Sequence, residues 1–337
     1  MNLITGATGI VGAQVALKLL EQGQPVSAIN RSSSDISKTK TLFAYYTDKA
    51  EQLFNQIKWI DADINDIFSL LDALEGVDTV YHCAGFVSFN PKHEKQLFKI
   101  NAEGTANVVN ACLEKNIKAL CHVSSIATLQ NPDITTNIDE SVYWKSSPQA
   151  SSYAISKYNA EREVWRGIEE GLNAVIVNPG IILSPGFWNQ SSGKLFTRGY
   201  KGMVFYTQGT TATVDVRDVA NCMIQLVNYK QFNQRFVLIE NNYSYQTILT
   251  QIQAGFGKKA PFIEIRKISL KIASVVEKLW SLLTGSEQEL SNESISSLLD
   301  KNSYSNKKIV SKLSYKFIPF SDSVTFVCKA YIADLKK

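Results

Sequence analysis

Thr5-Gly6-Ala7-Thr8-Gly9-Ile10-Val11-Gly12 stands almost at the start of the chain and decides how everything after it is read. Its glycines recur at every third position. Asn2-Leu3-Ile4 before it has the apolar content of a short buried strand, and Val11, Val15 and Leu19 after it fall at helical spacing. A glycine loop between a strand and a helix start is the setting in which backbone wraps a dinucleotide pyrophosphate. Gly6 permits the tight turn, Gly9 lets the backbone approach the phosphates, and Gly12 lets the helix pack close to the strand. Free N–H groups and the helix dipole then favour the anion. Thr8, Ile10 and Val11 complete the expected contact set of the loop.

Outward from this loop, strands and helices alternate. Strands are expected at 24–29, 57–60, 79–83, 119–123 and 174–177, with a late one at 235–239. Helical patterns fall between them at 66–74, 95–115 and 153–170. Such alternation predicts an α/β fold, a Rossmann doubly wound parallel sheet with right-handed crossovers. After Asn178-Pro179-Gly180 the character changes. Residues 184–212 are rich in Gly, Ser and aromatics, Val214 to Val227 returns to a strand-then-helix pattern, and helices dominate from Asn241 on. The expected organisation is a dinucleotide-binding domain over 1–180, with 213–240 returning to it. A smaller, mostly helical substrate-binding region is expected over 181–212 and 241–337.

Composition narrows the function classes. The chain has 337 residues, 45% hydrophobic and 20% charged, enough for a sizeable core and unlike a disordered chain. A net charge of +4, spread without a basic stripe, gives no reason to expect nucleic acid as a partner. The five cysteines form no C-x-x-C pair and read as reduced, buried residues, and the three histidines lack zinc spacing, so no metal is expected. No signal-peptide pattern precedes the first strand, which makes cytoplasm the expected location. The apolar stretch 268–283 is interrupted by Lys271, Glu277 and Lys278. It is too short and too charged to span a bilayer, which leaves a packed or lid helix, or peripheral membrane contact.

The second half of the cofactor site follows the second strand. An acidic residue there would accept from the adenosine ribose and repel a 2′-phosphate. This chain has Asn30 and then Arg31, whose guanidinium can grip a phosphate bidentately, followed by three serines. The expectation is NADP(H) as preferred cofactor, with NAD(H) second. Asp63, with Ile64, follows the third strand where adenine would lie, a helix-capping role being the alternative for Asp63. Ala84-Gly85 after the fourth strand leaves room for ribose and phosphates. Asn101, an amide inside an otherwise apolar helical pattern, implies a hydrogen-bonding duty.

Tyr153-Ala154-Ile155-Ser156-Lys157 carries the chemistry. Tyrosine and lysine at i and i+4 share one helix face. A nearby ammonium favours the phenolate. A tyrosine so poised can give a proton to the alkoxide formed by hydride transfer, or remove it in reverse. Ser125, after the fifth strand, would hydrogen-bond the substrate oxygen.

These motifs together resemble the extended short-chain dehydrogenase/reductases of the NAD-dependent epimerase/dehydratase superfamily. The resemblance rests on residues 5–12, His82-Cys83-Ala84-Gly85, Asn101-Ala102-Glu103-Gly104-Thr105, Ser124-Ser125, Tyr153 to Lys157 and Asn178-Pro179-Gly180. Val214-Asp215-Val216-Arg217-Asp218-Val219-Ala220 and Tyr304-Ser305-Asn306-Lys307-Lys308 extend it along nearly the whole chain. It implies Ser125, Tyr153 and Lys157 as catalytic residues, Asn101 as a positioning partner of the lysine or a water, and Ser124, Tyr153, Lys157, Pro179 and Gly180 around the nicotinamide. It also implies dimerisation through helices that include 95–115 and 153–170. In style the chain is similar to dihydroflavonol reductases and 3β-hydroxysteroid dehydrogenases. At Gln130 it departs from sugar-nucleotide epimerases, which usually place a glycine there.

Phe86, Phe187, Trp188, Phe196 and Tyr206 are the candidate substrate contacts, their aromatic character suiting a flat apolar ligand. Packing of the smaller region is the competing role for the 184–212 aromatics. The leading expectation is a reductase or dehydrogenase acting on a carbonyl or secondary alcohol of a small molecule. A nucleotide-sugar epimerase or dehydratase, and a non-catalytic NADP-binding regulator, are the alternatives.

Overall fold

Leu3 and Ile4 are buried in β1 (Asn2–Thr5), and the glycine loop carries the chain from it into α1 (Ile10–Glu21). β2 (Val26–Asn30), α2 (Ser37–Ala44), α3 (Ala50–Phe54), β3 (Lys58–Asp61), α4 (Ile67–Ala73) and β4 (Thr79–His82) continue the alternation. α5 (Glu94–Leu97) then runs through a π-helical turn, Phe98–Glu103, into α6 (Gly104–Glu114). β5 (Ala119–Val123), α7 (Ser152–Glu169) and β6 (Ala174–Pro179) follow. The computed structural model describes residues 1–147, 150–272, 274 and 292–336.

Past β6 come β7 (Ile181–Leu183), α8 (Gly193–Lys201), β8 (Phe205–Tyr206), β9 (Thr210–Asp215), α9 (Val216–Asn228) and β10 (Gln234–Leu238). The main sheet has seven parallel strands in the order β3-β2-β1-β4-β5-β6-β10. Every residue of β6 is buried, as a strand covered on both faces requires. On one face α1, α2 and α9 pack through residues such as Val15, Leu19, Phe43 and Met223, and on the other α4, α6 and α7 pack through Leu70, Val108, Cys112 and Val164. Strand order reverses between β1 and β4, so a crevice opens beyond their carboxyl ends, where ligands of such sheets bind.

The strand expected near Val214 does not join this sheet. β9 pairs with β7 and with β11 (Asn241–Ser244) in a separate three-stranded sheet. At Gly180 a Cβ would stand 2.5 Å from the Ala212 carbonyl oxygen, so the chain beyond β6 lies close against β9. α9 and β10 return to the main body, and Ile309 of the helix Lys307–Leu313 also joins the first core. A third core, built from Phe196, Ile248, Ile252, Val327 and Tyr331, joins α8, α10 (Tyr245–Gly255) and the C-terminal helix Phe320–Asp334. β12 (Ile263–Glu264) pairs with β8 in a short ribbon.

The helical pattern expected over 95–115 is broken into two helices by the π turn, and 181–183, 37–44 and 50–54 form elements the sequence pattern did not signal. Of the apolar stretch 268–283, residues 273 and 275–283 lie outside the described residues. Ile268 and Ile272 are exposed there and Leu270 is buried. Among the described residues no helix is long and apolar enough to cross a membrane. Between α6 and α7, Arg166 is held by Glu163, Glu170 and Asn110.

Candidate active site

Gly6 takes φ +69°, and a Cβ on it would stand 2.6 Å from the Ala84 backbone nitrogen, so the loop after β1 lies directly against the segment after β4. A Cβ on Gly12 would stand 2.3 Å from the Gly6 carbonyl oxygen, which lets α1 begin tight against the loop. Gly9 differs. Its nearest obstruction is at 3.4 Å, and it caps α1 with no side-chain hydrogen bond. A helix start with uncapped N–H groups above a smooth backbone cradle fits a pyrophosphate. The rest of the dinucleotide set fits unevenly. Arg31 follows the last residue of β2 and is exposed. The Asp63 carboxylate accepts from the Asn65 backbone and side-chain amides, while Asp66 caps α4. The Ile64 side chain is buried where a Cβ on Gly104 would meet it, and its backbone carbonyl accepts from the Asn107 amide at 2.9 Å. Gly180 accepts the close approach of β9, and Pro179 is buried at the end of β6.

α7 carries the candidate catalytic residues Tyr153 and Lys157. Its N-terminus is capped by the Ser151 hydroxyl, which accepts from the Ala154 N–H. That start places Tyr153, Lys157 and Glu161 along one stripe. Tyr153 is half-buried and hydrogen-bonded by Ser125. Burial pushes its phenol above the ordinary tyrosine value, and the Ser125 hydrogen bond pulls the other way. Lys157 is buried, and its ammonium donates to the Val123 carbonyl oxygen at 2.7 Å. Burial pushes Lys157 down to about 8, opposed by the Glu161 charge. Sequence reasoning expected the lysine to lower the tyrosine; here desolvation dominates both groups. Ser125 opens a short 3-10 turn and its hydroxyl accepts from Ala127 N–H.

Asn101 sits in the π turn, a helix distortion often found at functional sites. Its amide binds the Phe86 backbone both ways, accepting from the N–H at 2.7 Å and donating to the carbonyl at 2.9 Å. It also donates to the Ser156 hydroxyl at 2.9 Å. Asn101 therefore ties the loop after β4 to α7. Beneath the site, His82 is buried between Thr5 and Thr105, and burial pushes it down to about 3. Among the described residues no cluster of His, Cys, Asp or Glu is placed to hold a metal, and the five cysteines are unpaired.

Several expected contacts lie elsewhere. The Ser124 hydroxyl donates to Glu161 at 2.7 Å inside the protein, so it points away from the crevice. Phe196 is completely buried in the third core and offers no surface to a ligand. Trp188 donates to Asp334 and sets its ring edge-on to Tyr45 and Tyr331; Phe187 packs on the first core. These aromatics fasten the smaller region to the main body, because large apolar surface is most stable buried. Tyr206 lies in the β8–β12 ribbon. Of the aromatic candidates, Phe86 borders the site through its contact with Asn101. The residue that sequence reasoning missed is Phe89, whose ring meets Tyr153 edge-on at 5.8 Å between centroids. It stands in an irregular loop, where no periodicity announces a side chain's direction. Glu161 and Arg235 were also missed, although Glu161 continues the four-residue spacing of Tyr153 and Lys157.

Known proteins match this arrangement. Sterol demethylase protein B of Methylococcus capsulatus is 27% identical over 269 residues, covering 78% of this chain and 77% of its own. Cinnamoyl-CoA reductase 1 of Petunia hybrida is 28% identical over 253 residues, covering 71% and 72%. The solved structure of gox2253 superposes with a TM-score of 0.81 at 26% identity, covering 99% of this chain and 98% of its own. The model of the NAD dependent epimerase/dehydratase family matches residues 2–238, which hold both the glycine cradle and the Ser125, Tyr153 and Lys157 cluster. The chain is an enzyme with an NAD(P)-binding Rossmann fold, and it belongs to the NAD dependent epimerase/dehydratase family.

Proposed function

We propose that the chain is an NADP-dependent oxidoreductase acting on a carbonyl or secondary alcohol of a small, mainly apolar molecule, with Tyr153 as general acid and base. The observation that carries this reading is the Tyr153 hydroxyl held by Ser125, one helical turn from a buried Lys157. The nicotinamide, when bound, supplies or takes up hydride at the substrate carbon. The chain's own residues handle the oxygen and its proton. Ser125 donates to the substrate oxygen, and Tyr153 Oη delivers the proton that neutralises it, or removes it in the reverse direction. Lys157 has one N–H committed to Val123 and two more to hold ribose hydroxyls. Its charge favours the phenolate when the proton has left.

Cofactor choice rests on Arg31 and the serines after it, since no carboxylate stands among residues 30–34. Substrate character rests on the loop after β4. Phe89 covers the Tyr153 ring, Phe86 stands beside His93 at 5.6 Å, and Ser88 pairs with His93 at 2.9 Å. That surface suits an aromatic or polycyclic carbonyl better than a sugar phosphate.

The test is loss of NADPH absorbance with a panel of carbonyls running from small aldehydes to aromatic and steroid-like ketones. Wild-type protein should consume NADPH, and Tyr153→Phe should abolish turnover while keeping cofactor affinity. Turnover preserved in Tyr153→Phe refutes the acid–base role. Conversion of a nucleotide sugar without net NADPH loss would establish internal redox chemistry instead.

A further inference from the structure

We propose that Glu161 is the positioning residue of this active site, holding the loop that carries Ser125 and setting the charge environment of Lys157. The inference rests on the oxidoreductase reading above.

Glu161 is 1% exposed, yet its carboxylate is surrounded by donors. One oxygen, Oε2, accepts from the Ser124 hydroxyl at 2.7 Å and from the Asn178 amide at 3.0 Å. The Thr128 hydroxyl stands 2.8 Å from the same oxygen and 2.8 Å from the Ser125 carbonyl, so its single proton is shared between the two. The other oxygen, Oε1, accepts from Arg235 at 2.9 Å, and Trp165 approaches at 3.4 Å. Ser124 and Thr128 bracket Ser125 on both sides. The Asn178 amide also lies 3.2 Å from the Ser125 carbonyl. The carboxylate therefore grips both ends of the five-residue segment 124–128, in which Ser125 directly follows the first anchor. Arg235, on β10, keeps this negative charge from being left unpaired, and its remaining donors bind the carbonyls of Glu140 and Val142. Four elements that are distant in sequence thus meet on one carboxylate.

The same group is the charge nearest in kind to Lys157. His82 from β4 and His122 from β5 face the lysine, but burial holds His82 down at about 3 and His122 well below its ordinary value. Cys83 is pushed up to about 12 and Tyr153 is also raised, so all four are uncharged near neutrality. Glu161 is the main charge that supports the protonated lysine, ahead of Cys83. Removing its charge should let Lys157 lose its proton at lower pH.

The experiment compares wild-type protein with Glu161→Gln and Glu161→Asp. It measures NADPH affinity, the pH profile of kcat, and hydrogen–deuterium exchange across residues 124–129. In Glu161→Gln the alkaline limb of kcat should move to lower pH and exchange in 124–129 should quicken. kcat should fall about 10- to 100-fold, the loss expected from a displaced catalytic group, with NADPH affinity held. Glu161→Asp keeps the charge, so its alkaline limb should stay in place. An unchanged limb together with unchanged exchange overturns the proposal, whatever kcat does. Where Glu161→Gln fails to fold, Ser124→Ala/Thr128→Val decides. It should quicken exchange and lower kcat without moving the limb, and wild-type exchange in that variant overturns the tether. Absence of turnover in the wild type would count against the oxidoreductase reading, while the exchange data would still judge the tether.

Discussion

Arg31 stands one residue past the end of β2, exposed and without a described ion pair, where a cofactor's adenosine ribose would pass. Its planar guanidinium suits a 2′-phosphate, and a charge-assisted contact of this kind contributes about 1.5–3 kcal/mol. Arg31→Ala should therefore weaken NADPH binding by roughly 10- to 100-fold and leave NADH binding nearly unchanged. Titration of both cofactors measures this, and equal losses for the two would remove the phosphate clamp from the proposal. Lys157 is a different kind of residue. Its position was legible from spacing alone, but its altered proton affinity was not, since burial is a property of what packs around it. Asn101 was legible as an unusual amide, yet its partners, Phe86 and Ser156, lie 15 and 55 residues away in the chain.

At the scale of the element, the glycine loop and α1 act as one unit. Gly12 has no room for a side chain, since a Cβ would stand 2.3 Å from the Gly6 carbonyl oxygen. Gly12→Ala must therefore push α1 away from the loop. Overpacking of this sort costs about 1–3 kcal/mol. It should lower the melting temperature and weaken NADPH binding together, because the same backbone forms the cradle. Thermal unfolding and cofactor titration check both, and wild-type values for either would show that the helix start can shift harmlessly. α7 is the second such unit. Its capped start lines up Tyr153, Lys157 and Glu161, so one helix presents the proposed proton donor, cation and anchor.

At the scale of the molecule, the smaller region is held together by a core of its own. Phe196 is fully buried among Ile248, Ile252 and Tyr331. Phe196→Ala should destabilise the protein by about 3–5 kcal/mol through the cavity left behind. NADPH affinity should be spared, since the cradle belongs to the main sheet. A melting temperature equal to wild type would place Phe196 outside the core. The long-range ties are of the same sort: Tyr45 and Trp188 both donate to Asp334 near the chain's end, and Asp218 of α9 accepts from Tyr315 and the Ile318 N–H. Burial pushes Asp218 up to about 6.

What the sequence determined by itself was local or periodic. The glycine spacing, the alternation of strand and helix, and the Tyr153–Lys157 pair each depend on residues within a few positions of one another, so their physics is written in consecutive letters. The parallel character of the main sheet followed from that alternation, while its strand order and the crevice between β1 and β4 came from the tertiary pairing. Only the tertiary structure decided which way buried polar groups point. Ser124 turned inward to Glu161, the aromatics near residue 190 packed the core, Phe89 met Tyr153, and β9 left the main sheet. Each of these depends on contacts between segments far apart in the chain. A side chain's direction there is chosen by whichever partner best satisfies its hydrogen bonds or covers its apolar surface, and sequence spacing carries no record of that choice.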